Sequence, residues 1–333
     1  MKKSKVALIA VLVVILCAGV YSGLVIKDMT GVAIKEGKTI KIEEKTGAGQ
    51  IADQLKKERV IKYPLAFKIK AKLSGYSARF KPGSLTVQPD MSYTDIMDAL
   101  ITPNRGLSKV TIPEGYELRQ IEDKLFEAGL IDREKFKAAL DPSLYDYKFL
   151  KNIPDRENKL EGYLFPDTYN IAKGTSEKDI VNMMLRAFDK NFKPEYYDRA
   201  KQLDMTVDEI VTLASIIERE TNNAEERPVV AGVFYNRIHD NMRLQSCATV
   251  QYILKERKAN LSNSDVKIKS PYNTYMNAGL PIGPIAAPGA NCIAAALYPE
   301  ETTAKFFVLG KDGKHIFSDT YEEHEKAKRE AGQ

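Results

Sequence analysis

The sequence predicts an α+β fold carried on a single N-terminal transmembrane helix. Three features point there: an uncharged run near the N-terminus, short strand-turn-helix units after it, and a series of amphipathic helices in the second half. With 333 residues, 44% of them hydrophobic and 29% charged, the chain suits about two globular domains. Its net charge of +5 is spread along the whole length. That distribution supports no nucleic-acid partner, although a mildly positive surface suits an anionic polymer.

Lys2, Lys3 and Lys5 lie in a stub, residues 1–5, ahead of Val6 to Ile26, a run at residues 6–26 long enough to cross a bilayer as a helix. Lysines before the span and a long chain after it predict a cytoplasmic N-terminus and an extracytoplasmic body. The alternative is a signal peptide cleaved at a small-residue exit around Val20 and Ser22. Leu16 stands before Cys17 where a lipoprotein signal needs a small residue, which argues against lipidation.

Residues 36–140 read as a small α+β module. Thr39 to Glu43 is strand-like, Gly47 and Gly49 mark a turn, and a helix follows from about Gln50. The glycines imitate a dinucleotide fingerprint, but the alternating strands and helices of a nucleotide fold do not follow. Repetition explains the segment better: Ile51, Leu55, Val60 and Ile61 recur as Ile121, Leu125, Leu130 and Ile131, each set after a strand and a turn. Ser84 to Val87, a turn at Pro89 and Asp90, and Tyr93 to Ile101 form a third such unit. Lys45-Thr46-Gly47 and Ser264-Asp265-Val266-Lys267 match fragments of penicillin-binding enzymes in the wrong order and without the third element. Asp141 to Asp155, with two prolines among aromatics, reads as a join that places a second domain at residues 155–333.

In that domain Glu161 to Tyr169, EGYLFPDTY, is either a core-lining turn or a platform for sugar rings. Ser176 to Phe188 and Pro194 to Leu203 read as flanking helices. The centre is Thr206 to Thr221, TVDEIVTLASIIERET. Thr206 and Glu209 form a capping box, and Val207, Ile210, Val211, Leu213, Ala214, Ile216 and Ile217 fill one broad arc at about 100° per residue. Glu218 and Glu220 fall inside the arc, whereas Asp208 and Arg219 point away. A carboxylate desolvated by apolar neighbours favours its protonated form, as a proton donor must. These two are the candidate acids; the alternative is that each sits at the arc's edge and reaches solvent or an Arg.

Asn222 and Asn223 are placed to cap a helix over Pro228 to Ile238. Met242 to Ser246 is extended and Thr249 to Leu254 helical, so Asn236, Arg237, Gln245 and Thr249 lie near one another in sequence and are candidates for polar contacts to a sugar. For Asn236 and Arg237 the alternative is a cap or an ion pair. Pro271 to Tyr275 and Gly279 to Gly289 read as stiff loops that close over a ligand at little entropic cost. Phe306 to Leu309 and His315 to Ser318 flank Asp312-Gly313 as a hairpin, and a charged helix follows from Tyr321. Cys247 and Cys292 are either bridged beside a cleft or two free buried thiols. His239, His315 and His324 are scattered, so no metal site is predicted.

Taken together, EGYLFPDTY, LASIIERE, the Asn-Arg after VFY, MRLQS-x-x-TVQY, SPYNTY and GLPIGPI resemble the YceG-like endolytic murein transglycosylases. The resemblance runs from the apolar span to the final hairpin. It implies a LysM-like module beside the plasma (inner) membrane, a lysozyme-like catalytic domain, peptidoglycan glycan strands as substrate, no cofactor, and cell-wall synthases as partners. It puts the catalytic acid on Glu218 and lines the cleft with Asn236, Gln245, Thr249, Tyr272, Asn273 and Thr274. Glu220 and Arg237 become structural neighbours of the site. One departure is Cys247-Ala248, where the family commonly has Asp-Pro. In the implied reaction Glu218 protonates the glycosidic oxygen between MurNAc and GlcNAc. It then accepts the proton of the MurNAc C6 hydroxyl, whose attack at C1 closes a 1,6-anhydro ring. The substrate supplies the nucleophile, so one acid suffices, and cuts within nascent strands would end their elongation. A hydrolytic muramidase pairing Glu218 with Glu220 or Asp167 is one rival; residues two apart on a helix diverge by about 160°, which disfavours the first pair. A membrane-tethered glycan-binding scaffold is the other.

Overall fold

The computed structural model describes residues 19–89, 91–101, 107–258 and 260–332. Residues 6–18 of the apolar run, and Asp90 of the predicted turn, lie outside them. Helix α1 is described from residue 19 to residue 30, and among the described residues no helix is long and apolar enough to cross a membrane. The fold is mixed α+β, in two compact units: one holds the chain up to Ser108 together with Asn170–Thr175, the other Lys109–Tyr169 and Ser176–Gln333.

In the first unit β1 (Lys38–Ile42) pairs antiparallel with β2 (Gly83–Val87), Ile40 opposite Leu85. Helices α2 (Ala48–Lys57) and α3 (Pro64–Leu73) lie between the strands in sequence, and α4 (Tyr93–Ile101) follows. Strand alternation turns Ile40, Ile42, Leu85 and Val87 into one core with Ile51, Leu55, Phe67, Ile96 and Leu100. The Gly47 N–H donates to Gln50 Oε1 at the head of α2, and Pro64 opens α3, where a missing N–H costs nothing. Asp28 ties down the end of α1 by accepting from Lys62 N (2.8 Å) and Tyr93 Oη (2.5 Å).

The repeat in the sequence is a repeat of structure. β3 (Leu107–Thr111) pairs with β4 (Thr168–Ala172), and α5 (Leu118–Glu127) and α6 (Arg133–Ala139) follow β3 as α2 and α3 follow β1. Ile121, Leu125, Leu130 and Ile131 are buried like their counterparts, and Glu117 N donates to Gln120 Oε1 as Gly47 does to Gln50. Residues 109–140, which the sequence assigned to the N-terminal module, nevertheless pack with the second unit. The reason is a set of long-range bonds: Gly115 N to Ala287 O, Ala287 N to Tyr116 O, and Leu118 N to Glu161 Oε1.

The second unit adds α7 (Glu177–Asn191), α8 (Pro194–Gln202), α9 (Val207–Glu220), α10 (Arg227–His239), α11 (Cys247–Leu254) and α12 (Ala290–Leu297). The β5 (Phe306–Leu309) and β6 (His315–Ser318) hairpin and α13 (Tyr321–Ala331) complete it. α9 starts at the predicted capping box and packs against α12, α10, α11 and α8. Asp208 and every residue from Ile210 to Glu218 are buried, and the Arg219 side chain is tucked in as well, which corrects the outward placement of Asp208 and Arg219. Asp208 accepts from Arg156 at 2.7 and 2.8 Å and from Tyr163 Oη at 2.8 Å, while the buried Arg219 side chain reaches Glu117 at 3.3 Å. Partners from distant segments offset charges that helix periodicity assigns to solvent. α10 is capped by neither Asn222 nor Asn223: Glu226 is its N-cap residue, and Asn223 Oδ1 accepts locally from Glu225 N. In EGYLFPDTY, Glu161 to Pro166 and Tyr169 are core and only Asp167 and Thr168 are exposed, with Tyr163 fully buried and stacked on Phe149. Gly162 there adopts φ +84°, and a Cβ would stand 2.6 Å from Pro284 Cβ.

Candidate active site

Glu218 and Glu220 leave the last turn of α9 into separate surroundings. Glu218 is 8% exposed; its Oε2 accepts from Gly289 N (2.9 Å) and its Oε1 lies 3.6 Å from Arg227 Nη2. Gly289 ends the predicted stiff loop, which is buried against α9: Ile285 N donates to Ser215 Oγ (3.0 Å). The Cys292 thiol, in the first turn of α12, bonds to Glu218, and burial pushes that thiol's pKa far up.

A second carboxylate enters from the turn after β3. Glu114 Oε2 lies 3.8 Å from the same Arg227 Nη2. It fits over Gly289 only because that residue has no side chain, since a Cβ there would stand 1.9 Å from Glu114 Oε1. Burial pushes the Glu114 carboxyl up and the nearby Glu218 adds to this, against the pull of Arg227. Arg227 is 8% exposed, and its buried Nε has no hydrogen-bond partner.

Glu220, partly buried, accepts from the Ser246 hydroxyl. Burial pushes its carboxyl up; Ser246, His315, Arg219 and Arg237 oppose that. Ser246 also donates its N–H to Thr274 Oγ1 (3.0 Å), whose hydroxyl is 2.9 Å from that of Thr249. Gln245 donates its N–H to Thr274 O and has an exposed side chain. Gln245, Thr249 and Thr274 therefore gather on the Glu220 side.

The remaining predicted residues are mostly clamps. Asn236 Nδ2 donates to Thr302 O (2.7 Å) and Ala304 O (2.9 Å). Arg237 donates from Nε to Lys305 O (2.5 Å) and from Nη1 to Leu244 O (2.7 Å). Asn273 Nδ2 donates to Val266 O and Ile268 O. Tyr272 stands apart from both acids, 4.9 Å from the Tyr252 ring, on the wall of a cavity of about 400 Å³ that also touches Glu117, Arg119, Asn158 and Glu161. Cys247 and Cys292 are free rather than bridged, because each thiol faces a different partner: Tyr275 Oη at 3.0 Å for Cys247, Glu218 for Cys292. Among the described residues no cluster is suited to a metal ion. Sequence reasoning missed Glu114, Arg227, Gly289 and Cys292 as neighbours of Glu218. A carboxylate in the Pro113-Glu114-Gly115 turn, at the head of the second repeat, was the available signal.

Comparison with known proteins follows the same regions. The model of the YceG-like family matches residues 40–330. An endolytic murein transglycosylase of Bacillus subtilis strain 168 is 33% identical over 309 residues, covering 88% of this chain and 85% of its own length. One from Streptococcus pneumoniae strain D39 is 31% identical over 320 residues, covering 88% of this chain. This chain spans 58% of that relative's length. A crystal structure of a yceG-like protein from Listeria monocytogenes shares 32% identity with a TM-score of 0.59, over 88% of this chain and 99% of that one.

Proposed function

Since the chain belongs to the YceG-like family, we propose that it is an endolytic peptidoglycan lytic transglycosylase, cutting MurNAc–GlcNAc bonds within nascent strands and so ending their elongation. Residues 6–26 would hold it in the plasma membrane with the N-terminus cytoplasmic; of the expected module at residues 36–140, the part up to Ser108 would form the LysM-like unit, and the lysozyme-like catalytic domain would lie in the second unit with residues 155–333. Cell-wall synthases are the proposed protein partners. The observation that carries the reading is Glu218, an almost fully buried carboxylate at the end of a rigid helix, one oxygen fixed by the Gly289 amide. Glu218 gives its proton to the glycosidic oxygen and the GlcNAc hydroxyl departs. The MurNAc O6 attacks C1, returns its proton to Glu218 and leaves a 1,6-anhydro end.

A second reading, with Glu220 as the acid, is favoured by its raised carboxyl and its polar surroundings at Ser246, Thr249 and Thr274. Mass spectrometry of strands digested by each Gln variant separates the two. Glu218→Gln should lose roughly 10² to 10⁴-fold of anhydro-product release while its melting curve is unchanged, and Glu220→Gln should retain measurable product. The reverse pattern assigns the acid to Glu220; reducing ends indicate a muramidase, and no cleavage by the wild type a glycan-binding scaffold.

A further inference from the structure

Two carboxylates face one guanidinium. Arg227 Nη2 is 3.6 Å from Glu218 Oε1 and 3.8 Å from Glu114 Oε2. The arrangement is built into the backbone: Gly289 leaves the room that Glu114 occupies, and Gly115, at φ +75°, carries the turn past Glu218, whose Cγ would be 3.7 Å from a Cβ there. Resting on Glu218 as the acid, we propose that Glu114 is a positioning residue of the reaction, competing with Glu218 for the charge of Arg227.

A guanidinium facing a lone carboxylate holds it ionised, and an ionised carboxylate has no proton to give. Two negative groups against one positive leave the cluster with an excess negative charge, which a single proton shared within the cluster removes. With Glu114 drawing on the same Nη2 of Arg227, the guanidinium is not committed to Glu218 alone, which leaves Glu218 free to bring a proton to the substrate. Once it has protonated the glycosidic oxygen, Arg227 and the Gly289 amide stabilise the new carboxylate until the C6 hydroxyl returns a proton. The unpartnered Nε of Arg227 offers Glu114 a donor to close on in the first state. The other groups facing Glu218 do not compete: the Cys292 thiol from α12 is held neutral by burial, and Arg219 of α9 is engaged with Glu117.

The test is the pH profile of 1,6-anhydro-product release from isolated glycan strands by the detergent-solubilised full chain. Glu114→Gln should move the alkaline limb of kcat down by about one pH unit, a roughly tenfold loss above it, with KM and melting temperature unchanged. Gly289→Ala should move the limb the same way, since its new Cβ displaces the Glu114 carboxylate while its φ of −73° suits alanine. Removing Arg227 as well, in Glu114→Gln/Arg227→Met, should bring the limb back up. A limb that stays in place, or a loss equal at every pH, overturns the proposal. Glu218→Gln run alongside separates the two levels: activity retained there sinks the assignment of the acid, whereas activity lost there with an unmoved Glu114→Gln limb sinks only the role of Glu114.

Discussion

Replacing Glu161 by Gln should change how stability depends on pH, in a direction fixed by burial. Glu161 is 1% exposed, and burial pushes its carboxyl from 4.5 up to about 8, outweighing the donors at Leu118 N and Tyr252 Oη. Below pH 4.5 folded and unfolded chains both hold this proton. Between 4.5 and about 8 the folded chain keeps it and the unfolded chain has lost it, so stability falls as pH rises through that window. At about 1.4 kcal/mol per pH unit the whole window is worth roughly 5 kcal/mol. Gln preserves the shape: its oxygen accepts from Leu118 N, its amide donates to Tyr252 Oη, and it cannot ionise. Urea unfolding of both proteins from pH 4.5 to 8.5 should show the variant gaining several kcal/mol on the wild type across the series. Parallel stability curves would refute the inference that the buried Glu161 carries a proton at neutral pH.

Three further outcomes follow from other contacts. Asp208→Asn leaves the Arg156 guanidinium buried without its counter-charge and should cost about 3–5 kcal/mol by chemical denaturation. Gly162→Ala forces a Cβ against Pro284 at a positive φ, an overpacking defect of about 1–3 kcal/mol readable as a lower melting temperature. Glu226 is driven up by burial but more strongly down by the ring and backbone N–H of His315 and the Thr221 hydroxyl. Its contribution is therefore present above about pH 4.5 and lost as pH falls below it, and Glu226→Gln should flatten the acid limb of a melting-temperature profile.

What was legible in the sequence was local. The start of α9 follows from Thr206 and Glu209, three residues apart, and the final hairpin from Asp312-Gly313. The two strand-helix repeats show because their apolar residues recur in register. Contacts made across the chain were illegible. No periodicity reveals that Tyr116 bonds to Ala287, which is what draws residues 109–140 into the second unit. Asp208 and Arg219 were placed outward because helix geometry knows nothing of Arg156 or Glu117. Asn236 and Asn273 look like ligand-binding amides until the path of the backbone shows which carbonyls they clamp.

The divergence of Glu218 and Glu220 explains why a buried helix carries the candidate acids. Each carboxylate is met by a different segment, Glu218 by Gly289 ahead of α12 and Glu220 by Ser246 ahead of α11. The helix between them is held at its other end by Arg156 and Tyr163 on Asp208 and by the Thr206 capping box. A proton donor fixed on such an element keeps its position, and proton transfer tolerates little displacement of the donor. Glu220 meets Ser246, the N-cap residue of α11, with Gln245 just before it and Thr249 in the first turn. Changes there should alter how a strand is held before they alter how its bond is broken.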